Sequence, residues 1–488
     1  MSSRGVIRST VINLIGQVVP TLVALATVPL YLHWVGEVKY GVLLLAFTML
    51  GYFGAFDFGL GRAVAQRVAG QEDVVENNRT FWTALTFGLS VGLIGGLVLY
   101  ALGHWLFAGV FRIPPEYHTQ VVDSIPWLAM TVPLVSTLSV LTGTLQAKQA
   151  FIALNAGQAI GSIALQVFPL IWVAMGHASM SALVSSALFG RLTGLVFIYW
   201  AVVRALPIFG APRMQRGEIA SLLRFGGWIS LSGMLIPLLT IVDRMVIGVQ
   251  LGAAAVTAYT VPFSLTQRVT YIPLSLATTL FPKFSQLRGE SAERLMHQSI
   301  LGLVALQTPV VVLGVVLTQP FFQLWLGNEM AVKMVPIAIV LLVGIWINGP
   351  AYVPNVYMPA QGRPDLMAKF YVAELLPFLA LLWVLVGQWG IVGAGIAWVV
   401  RSTADAIFCF VATRTLGLYW KAILPNFPAI MMAVWSALAP IGLIPKLIVG
   451  LLALAVSLIA SWYVSPLALR DRVLTALRIK TARATSKS

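Results

Sequence analysis

Long apolar stretches follow one another along almost the whole chain and are separated by short polar or glycine- and proline-containing connections. About fourteen of them reach the twenty residues that a helix needs to cross a bilayer, twice the length of a membrane-spanning strand. The pattern therefore predicts an all-α, polytopic membrane protein with about 14 transmembrane helices. The stretches lie near 11–34, 40–66, 80–103, 122–145, 150–175, 179–203, 226–250, 254–282, 298–322, 332–357, 368–387, 391–413, 427–444 and 447–465.

Three similarities within the chain recur in order at a nearly constant distance. LHWVGEVKYGVLLLAF resembles VQLGAAAVTAYTVPF, with Gly36 and Gly252 at matching positions 216 residues apart. LQAKQAF resembles MPAQGRP at a distance of 213, and FGRLTGLVF resembles VVRSTADAIF, where Arg191 and Arg401 match at a distance of 210. Because an even number of spans leaves both copies in the same orientation, we predict two parallel-repeat six-helix bundles plus a C-terminal helix pair. The predicted boundaries are 1–210 and 211–420 for the bundles, 421–470 for the extra helix pair and 471–488 for a basic cytoplasmic tail.

The composition agrees with a membrane protein, because 59% of the residues are hydrophobic and only 10% are charged, against about 25% charged residues in soluble domains. The net charge of +15 comes mostly from Lys and Arg in short connections on one side. This bias sets membrane orientation, does not indicate nucleic-acid binding, and places the N- and C-termini in the cytoplasm. The basic tail is either an anchor for anionic lipids or a solvated end that fixes the topology. The single cysteine, Cys409, excludes a disulfide framework and a cysteine metal site.

Charged side chains within the predicted spans are the candidate functional residues, because a charge in the membrane is costly and normally faces a cavity or a charged partner. A guanidinium can grip a diphosphate through two parallel hydrogen bonds, so the arginines are predicted to bind substrate. A buried carboxylate can load and release a proton, so the acids are candidates for coupling to H⁺ or Na⁺. We predict no metal site, no other cofactor and no catalytic residue. The arginines are Arg191, Arg244, Arg268 and Arg401, and the acids are Asp57, Asp243, Glu374 and Asp405.

The repeat-related arginines also have a structural interpretation, which the sequence leaves open. Arg401 and Asp405 are four residues apart on one helical face and can form an internal ion pair. Arg191 has Leu195 at the equivalent position. It is therefore free to bind an anion unless an acid on a neighbouring helix, such as Asp57, pairs with it.

The remaining charges have comparable alternatives. Arg268 has polar neighbours that indicate a wet surface, but it can instead pair with Glu374 or Asp243. Asp243 and Arg244 are as easily explained by packing at a bundle interface as by binding. Glu374 can neutralise an arginine rather than carry an ion, and Asp57 can belong to a network at a helix end.

Several motifs together resemble a known family. NLIGQVVP, PLYLHWVGEVKYG and YFGAFDFGLGRA near the start, and VDRMVIGVQLG, VTAYTVP, LFPKFS and AQGRPDL in the second half, are similar to the Wzx-type flippases. These form the polysaccharide-transport branch of the MOP (MATE-like) exporter superfamily. The resemblance covers roughly residues 10–415. Many members of this family have about twelve spans, so the role of residues 421–470 is not given by it.

The resemblance implies a function and partners. An undecaprenyl-diphosphate-linked oligosaccharide would move from the cytoplasmic to the periplasmic leaflet of the bacterial inner membrane, for the biosynthesis of O-antigen or another polysaccharide, while two bundles rock and expose a cleft alternately. The implied partners are this lipid-linked oligosaccharide, membrane lipids and polysaccharide assembly proteins, without nucleic acid.

Two other function classes remain as alternatives. A cation-coupled multidrug exporter of the same superfamily should need acids and aromatic residues more than arginines, and the mid-span arginines count against it. A membrane glycosyltransferase or polymerase should carry a sizeable outside loop, and the loops here are short. We therefore predict that the chain is not an enzyme.

Overall fold

The computed structural model describes residues 3–55, 59–70, 73–208, 239, 241–363, 365–467 and 470–471, with side chains from residue 19 onward except 52–55 and 443. Over these residues the backbone forms helices and short turns and no strand. The predicted all-α class is confirmed.

Seventeen α-helices account for most of the described residues. Single turns of 3₁₀-helix at Gln267–Thr270, Gly349–Ala351 and Leu424–Asn426, and a π-helical turn at Leu106–Val110, connect some of them. The helices are α1 (Ser3–Trp34), α2 (Glu37–Ala55), α3 (Leu60–Ala69), α4 (Val74–Trp105), α5 (Pro115–Val122), α6 (Ile125–Ala147), α7 (Phe151–Ala174), α8 (Met180–Ala205), α9 (241–250), α10 (Ala253–Thr266), α11 (Tyr271–Gln286), α12 (Glu290–Asn348), α13 (Tyr352–Ala360), α14 (Asp365–Ala412), α15 (Leu416–Ile423), α16 (Phe427–Leu438) and α17 (Leu443–Val464).

Eight apolar helical stretches among the described residues are long enough to cross a bilayer. Glu290–Ala360, with 71 residues, and Asp365–Ala412, with 48, far exceed the roughly 20 residues of one crossing. Each is interrupted by a glycine with positive φ, Gly327 in α12 and Gly390 in α14. The chain is therefore a multi-pass membrane protein, and the exact number of fourteen helices stays a prediction.

The first compact unit, Met1–Thr257, is packed through close helix approaches at small residues. A Cβ at Gly190 of α8 would lie 2.6 Å from the backbone of Ala164 in α7, and one at Gly41 of α2 would lie 1.8 Å from the carbonyl oxygen of Ala253. Lipid tails are as apolar as the side chains, so burying apolar surface does not drive helices together in a membrane. Van der Waals contact at close approaches of this kind contributes to helix association instead. The described side chains of α3, α4, α6, α7 and α8 also enclose an apolar core that contains Phe81.

Two of the helix interruptions in the second compact unit, Ala258–Ser488, are 3₁₀ turns that lie near the charged residues. The turn Gln267–Thr270 separates α10 from α11, and the turn Gly349–Ala351 separates α12 from α13. Beyond these turns α11 packs on α13: Gln361 Nε2 donates to the carbonyl of Phe284 at 2.7 Å. Irregular backbone at membrane depth is tolerated where protein groups or water satisfy it.

The C-terminal helices α16 and α17 pack on α12 within this second unit. A Cβ at Gly450 would lie 2.5 Å from Val316 Cγ1, which places α17 in direct contact with α12. Lys446 Nζ donates to Gln319 Oε1 at 2.6 Å. The side chain of Asn426, before α16, is fully buried. The predicted extra helix pair is therefore built into the unit rather than attached loosely to it.

Left-handed backbone turns recur at nearly the same distance as the sequence similarities. They precede a helix in both copies, and their members lie 216, 213 and 214 residues apart. Two of the three pairs are two glycines, and in the third a glutamine with φ 55° stands opposite a glycine with φ 86°. The pairs are Gly36 and Gly252, Gln149 and Gly362, and Gly176 and Gly390. These matches support the proposed duplication. Its boundary at 210/211 falls outside the described residues, so the domain limits stay a prediction.

Candidate functional site

The strongest concentration of membrane-embedded charge in the second unit lies between the two segments of α14. Arg401 Nη1 lies 3.4 Å from Glu374 Oε1, and the two side chains are only 10% and 7% exposed. The Arg401 guanidinium also sits over the ring of Phe378, 5.2 Å from its centroid. Because α14 reverses at Gly390, residues 27 positions apart can meet across its two segments.

Asp405 extends this cluster one helical turn further along α14. Its carboxylate interacts electrostatically with Arg401 and Glu374 and with the hydroxyl groups of Tyr352 and Tyr371. Within the described part of the chain, one buried oxygen of each acid, Asp405 Oδ1 and Glu374 Oε2, has no hydrogen-bond partner. The two acids outnumber the one guanidinium, so the group as a whole can accept a positive charge such as a proton or Na⁺.

Arg268 lies on the 3₁₀ turn between α10 and α11, within the stretch 254–282 that the sequence predicts to be a span. Its Nη1 donates to Tyr271 Oη at 2.5 Å, and the guanidinium lies 5.6 Å from the centroid of that ring. The side chain is half-buried, and no carboxylate within salt-bridge distance of it occurs among the described residues. The alternative pairing with Glu374 or Asp243 is thus not observed.

The turn that carries Arg268 is connected to the acid cluster through tyrosine. Thr270, at the end of the turn, donates to the carbonyl of Gln267 at 2.6 Å and lies near the hydroxyl group of Tyr352, the first residue of α13. Tyr352 in turn faces Asp405, and Asn355 Nδ2 donates to Tyr371 Oη at 3.4 Å. These groups form a polar region within the second unit. Sequence analysis missed its neutral members, although two tyrosines and an asparagine inside apolar spans were a visible signal.

Arg191 is in a different environment from its repeat counterpart. It lies in the middle of α8 and is half-buried. Its Nε is buried without a hydrogen-bond partner, and no ion pair forms to it within the described residues. Among the described residues the Arg191 guanidinium therefore has no carboxylate partner, and the alternative pairing with Asp57 lies outside them.

Asp243 and Arg244 interact with each other on α9. The Arg244 backbone N–H donates to Asp243 Oδ1 at 2.8 Å, and Arg244 Nη1 lies 3.7 Å from the same oxygen. The Asp243 side chain is 1% exposed. This arrangement favours the packing interpretation of the pair. Asp57 lies outside the described residues.

Residues 36–336 match the profile of a family described as "Polysaccharide biosynthesis protein". The match covers more than half of the chain. The chain belongs to the polysaccharide biosynthesis protein family.

A relative of known family matches this polysaccharide biosynthesis family protein over most of its sequence. The chain is 26% identical over 417 residues to a Shigella flexneri protein named "Putative O-antigen transporter", and the match covers 85% of this chain and 99% of the relative. The family match and this relative agree with the resemblance to Wzx-type flippases.

Solved structures give the fold of this polysaccharide biosynthesis family protein. The lipid II flippase MurJ in an inward closed conformation matches with a TM-score of 0.71 and 12% identity, covering 92% of this chain and 98% of MurJ. An inward-facing multidrug resistance MATE transporter of the MOP superfamily matches with a TM-score of 0.66 and 15% identity, covering 84% and 98%. At these identities the comparison shows a shared fold. The relatives named here are transporters and a flippase rather than enzymes, in agreement with the prediction.

Proposed function

We propose that the protein is a flippase that moves an undecaprenyl-diphosphate-linked oligosaccharide from the cytoplasmic to the periplasmic leaflet of the bacterial inner membrane by alternating access. The family, the name of the Shigella flexneri relative and the fold shared with MurJ support transport of a lipid-linked glycan precursor. The leaflet direction, the diphosphate carrier and the mechanism are inferred from the chemistry of the membrane-embedded residues and from the repeats.

The observation that carries the proposal is the half-buried guanidinium of Arg268, on a turn inside the predicted span 254–282. Among the described residues no carboxylate neutralises it, and its hydrogen-bond partner is a neutral phenol. An uncompensated charge at membrane depth is costly and normally serves a substrate or ion pathway. A diphosphate is the anion whose geometry suits the parallel donors of a guanidinium. Arg191 offers a second guanidinium of the same kind.

The direction of transport agrees with the electrical gradient. An inside-negative potential favours outward movement of an anion by about 2.3 kcal/mol per charge per 100 mV. Counter-movement of a proton or Na⁺ would add to this, and the buried oxygens of Glu374 and Asp405 are the proposed binding groups. Arg401 is then the internal counter-ion that keeps these acids tolerable in the membrane.

The decisive experiment replaces Arg268 in cells whose surface polysaccharide depends on this protein. Hydrogen bonds to charged groups contribute about 1.5–3 kcal/mol each, so Arg268→Ala should lower the flipping rate at least tenfold. Arg268→Lys keeps the charge without the parallel donors and should retain part of it. The matched control is Arg294→Ala, because Arg294 is 70% exposed and paired only with Glu290 one turn away.

Surface polysaccharide and the transfer of a labelled lipid-linked oligosaccharide across reconstituted vesicles are the two measurements. Wild-type activity in the Arg268→Ala variant would remove Arg268 from the substrate path. Drug resistance conferred by the protein, without glycan transfer, would instead favour the multidrug exporter whose fold it shares.

A further inference from the structure

All the polar side chains of α7 lie on one face of the helix. Among the 24 residues of Phe151–Ala174 they are separated by three, four and four positions. At 100° per residue this spacing confines them to an arc of about 80°. We call this surface the α7 polar face; it consists of Asn155, Gln158, Ser162 and Gln166.

The other faces of α7 pack against α8 or carry exposed apolar side chains. Gly157 and Gly161 lie against Ile198 and Gly194 of α8, so this side packs within the first unit. Ile160 and Ile171 are 37% and 44% exposed and lie at least about 120° from the polar face. They form the apolar side that suits lipid.

Gln158 and Ser162 lie between Asn155 and Gln166 on the α7 polar face. Gln158 is exposed although it lies seven residues inside an apolar helix of spanning length, about 10 Å along the axis from Phe151. The side chains of Gln158 and Ser162 have no hydrogen-bond partner in the described part of the protein. Unsatisfied polar groups are expensive in hydrocarbon, so these side chains must face water or a polar ligand.

The outer half of this face is closed by α1. Tyr31 Oη donates to the carbonyl of Gln166 at 2.8 Å, and Thr27 Oγ1 lies 3.4 Å from Gln166 Oε1. Tyr31 and Thr27 are themselves buried. This contact fixes α7 against α1 at Gln166, and Gln158 and Ser162 lie nearer the Phe151 end.

The duplication shows that the fold itself does not require these polar groups. The paired turns at Gln149 and Gly362 place the two copies 213 residues apart. At this distance the counterparts in α14 are largely apolar. They are Ala368, Tyr371, Leu375 and Leu379. The same helix of the same architecture thus carries the amide-rich face in one copy and not in the other.

We propose that the α7 polar face binds the sugar part of the carried lipid, through hydrogen bonds from the Gln158 amide and the Ser162 hydroxyl to glycan hydroxyl groups. Neutral amides and hydroxyls both donate and accept, as sugar hydroxyls do, whereas a diphosphate only accepts and is matched by guanidinium groups. This inference rests on the proposed flippase function and assigns the glycan to the first unit.

The test measures equilibrium binding of two probes to the full-length protein in nanodiscs. One probe is undecaprenyl diphosphate without sugar, and the other is the undecaprenyl-diphosphate-linked oligosaccharide extracted from the producing cells. The variant combines Gln158→Leu with Ser162→Ala, and Ile160→Leu on the lipid side of the same helix is the control. Since neutral hydrogen bonds have modest net strength, we expect the double variant to bind the glycan-bearing probe about tenfold more weakly. Its affinity for the sugar-free probe should stay within about twofold, and Gln158→Asn should recover part of the loss.

The outcomes separate this inference from the proposed function. Equal weakening for both probes, or no weakening for either, while the wild-type protein binds the glycan-bearing lipid, would overturn the role of the α7 polar face and leave the flippase intact. A wild-type protein that binds neither probe would overturn the flippase proposal itself. An unchanged thermal midpoint of the double variant confirms that it is folded.

Discussion

The membrane-embedded arginines differ in what compensates their charge. Arg401 is neutralised by Glu374 and covered by Phe378, whereas Arg191 and Arg268 meet no acid among the described residues. A charge that is already paired has little left to offer an anion, because binding would first have to break the pair. The structure therefore favours Arg191 and Arg268 over Arg401 as diphosphate ligands.

The ion pair of Arg401 leads to a prediction about stability. Removing one partner of a buried pair leaves the other charge uncompensated and costs about 3–5 kcal/mol, whereas replacing both by apolar residues is often close to neutral. We expect Arg401→Leu to lower the thermal midpoint of the detergent-solubilised protein clearly. Combining it with Glu374→Leu should restore part of the loss, because Asp405 remains buried without its guanidinium partner.

The solvated pair Lys369–Asp365 provides the comparison. Its side chains are 76% and 49% exposed and lie 2.9 Å apart, one helical turn from each other. Exposed pairs contribute about 0–1 kcal/mol, so Lys369→Ala should leave the midpoint nearly unchanged. Additive losses for Arg401→Leu and Glu374→Leu in the double variant would contradict the pairing.

At the scale of helices, close packing and local interruptions have separate roles. α7 and α8 touch through small residues along their length, whereas the span formed by α10 and α11 is interrupted by the 3₁₀ turn that carries Arg268. Mid-helix 3₁₀ turns often mark a hinge or a functional position. The first arrangement holds two helices in close contact, and the second places a charged side chain at a break in the helix.

The helix contact at Gly190 is testable with a single methyl group. A Cβ there would lie 2.6 Å from the backbone of Ala164, and overpacking against backbone costs about 1–3 kcal/mol. Gly190→Ala should therefore lower the thermal midpoint. The control is Gly302→Ala in α12, where a Cβ meets nothing within 4 Å and helix propensity favours alanine by up to about 1 kcal/mol. Equal effects of the two substitutions would exclude close packing as the reason for Gly190.

At the scale of the whole molecule, the orientation in the membrane follows from the distribution of Lys and Arg. The proposed topology places the connection between α11 and α12 in the cytoplasm and the connection between α4 and α5 on the periplasmic side. In this topology the Phe151 end of α7, near Gln158, is on the cytoplasmic side. Outward movement of a lipid-linked glycan would therefore begin at this end of the α7 polar face.

Cysteine labelling can determine this orientation. The chain has one cysteine, Cys409, which is 1% exposed, so a Cys409→Ser background is simple to prepare. In that background a membrane-impermeant maleimide should label Gly109→Cys in intact spheroplasts, and Ser291→Cys only after lysis. Both positions are exposed. The reverse pattern would invert the topology and, with it, the proposed direction of transport.

The sequence by itself determined the membrane class, the all-α fold and the identity of the charged candidates, and it predicted the duplication. These features can be predicted from the sequence of a membrane protein because any charged or polar group within an apolar stretch of spanning length needs an ion-pair or hydrogen-bond partner, water or a ligand. The same reasoning applied to neutral polar residues would have exposed the α7 polar face, since its periodicity is visible without coordinates.

Only the tertiary structure decided which groups compensate one another. Arg401 has an acid four residues away, yet its ion pair forms with Glu374, 27 positions earlier, because α14 reverses at Gly390 and brings its two segments together. Likewise, the spacing places Gln158 and Gln166 on one face of α7. In the structure α1 packs against Gln166, whereas Gln158 is exposed. The rotation and neighbours of a helix depend on contacts between segments distant in sequence, and periodicity along one segment contains no information about them.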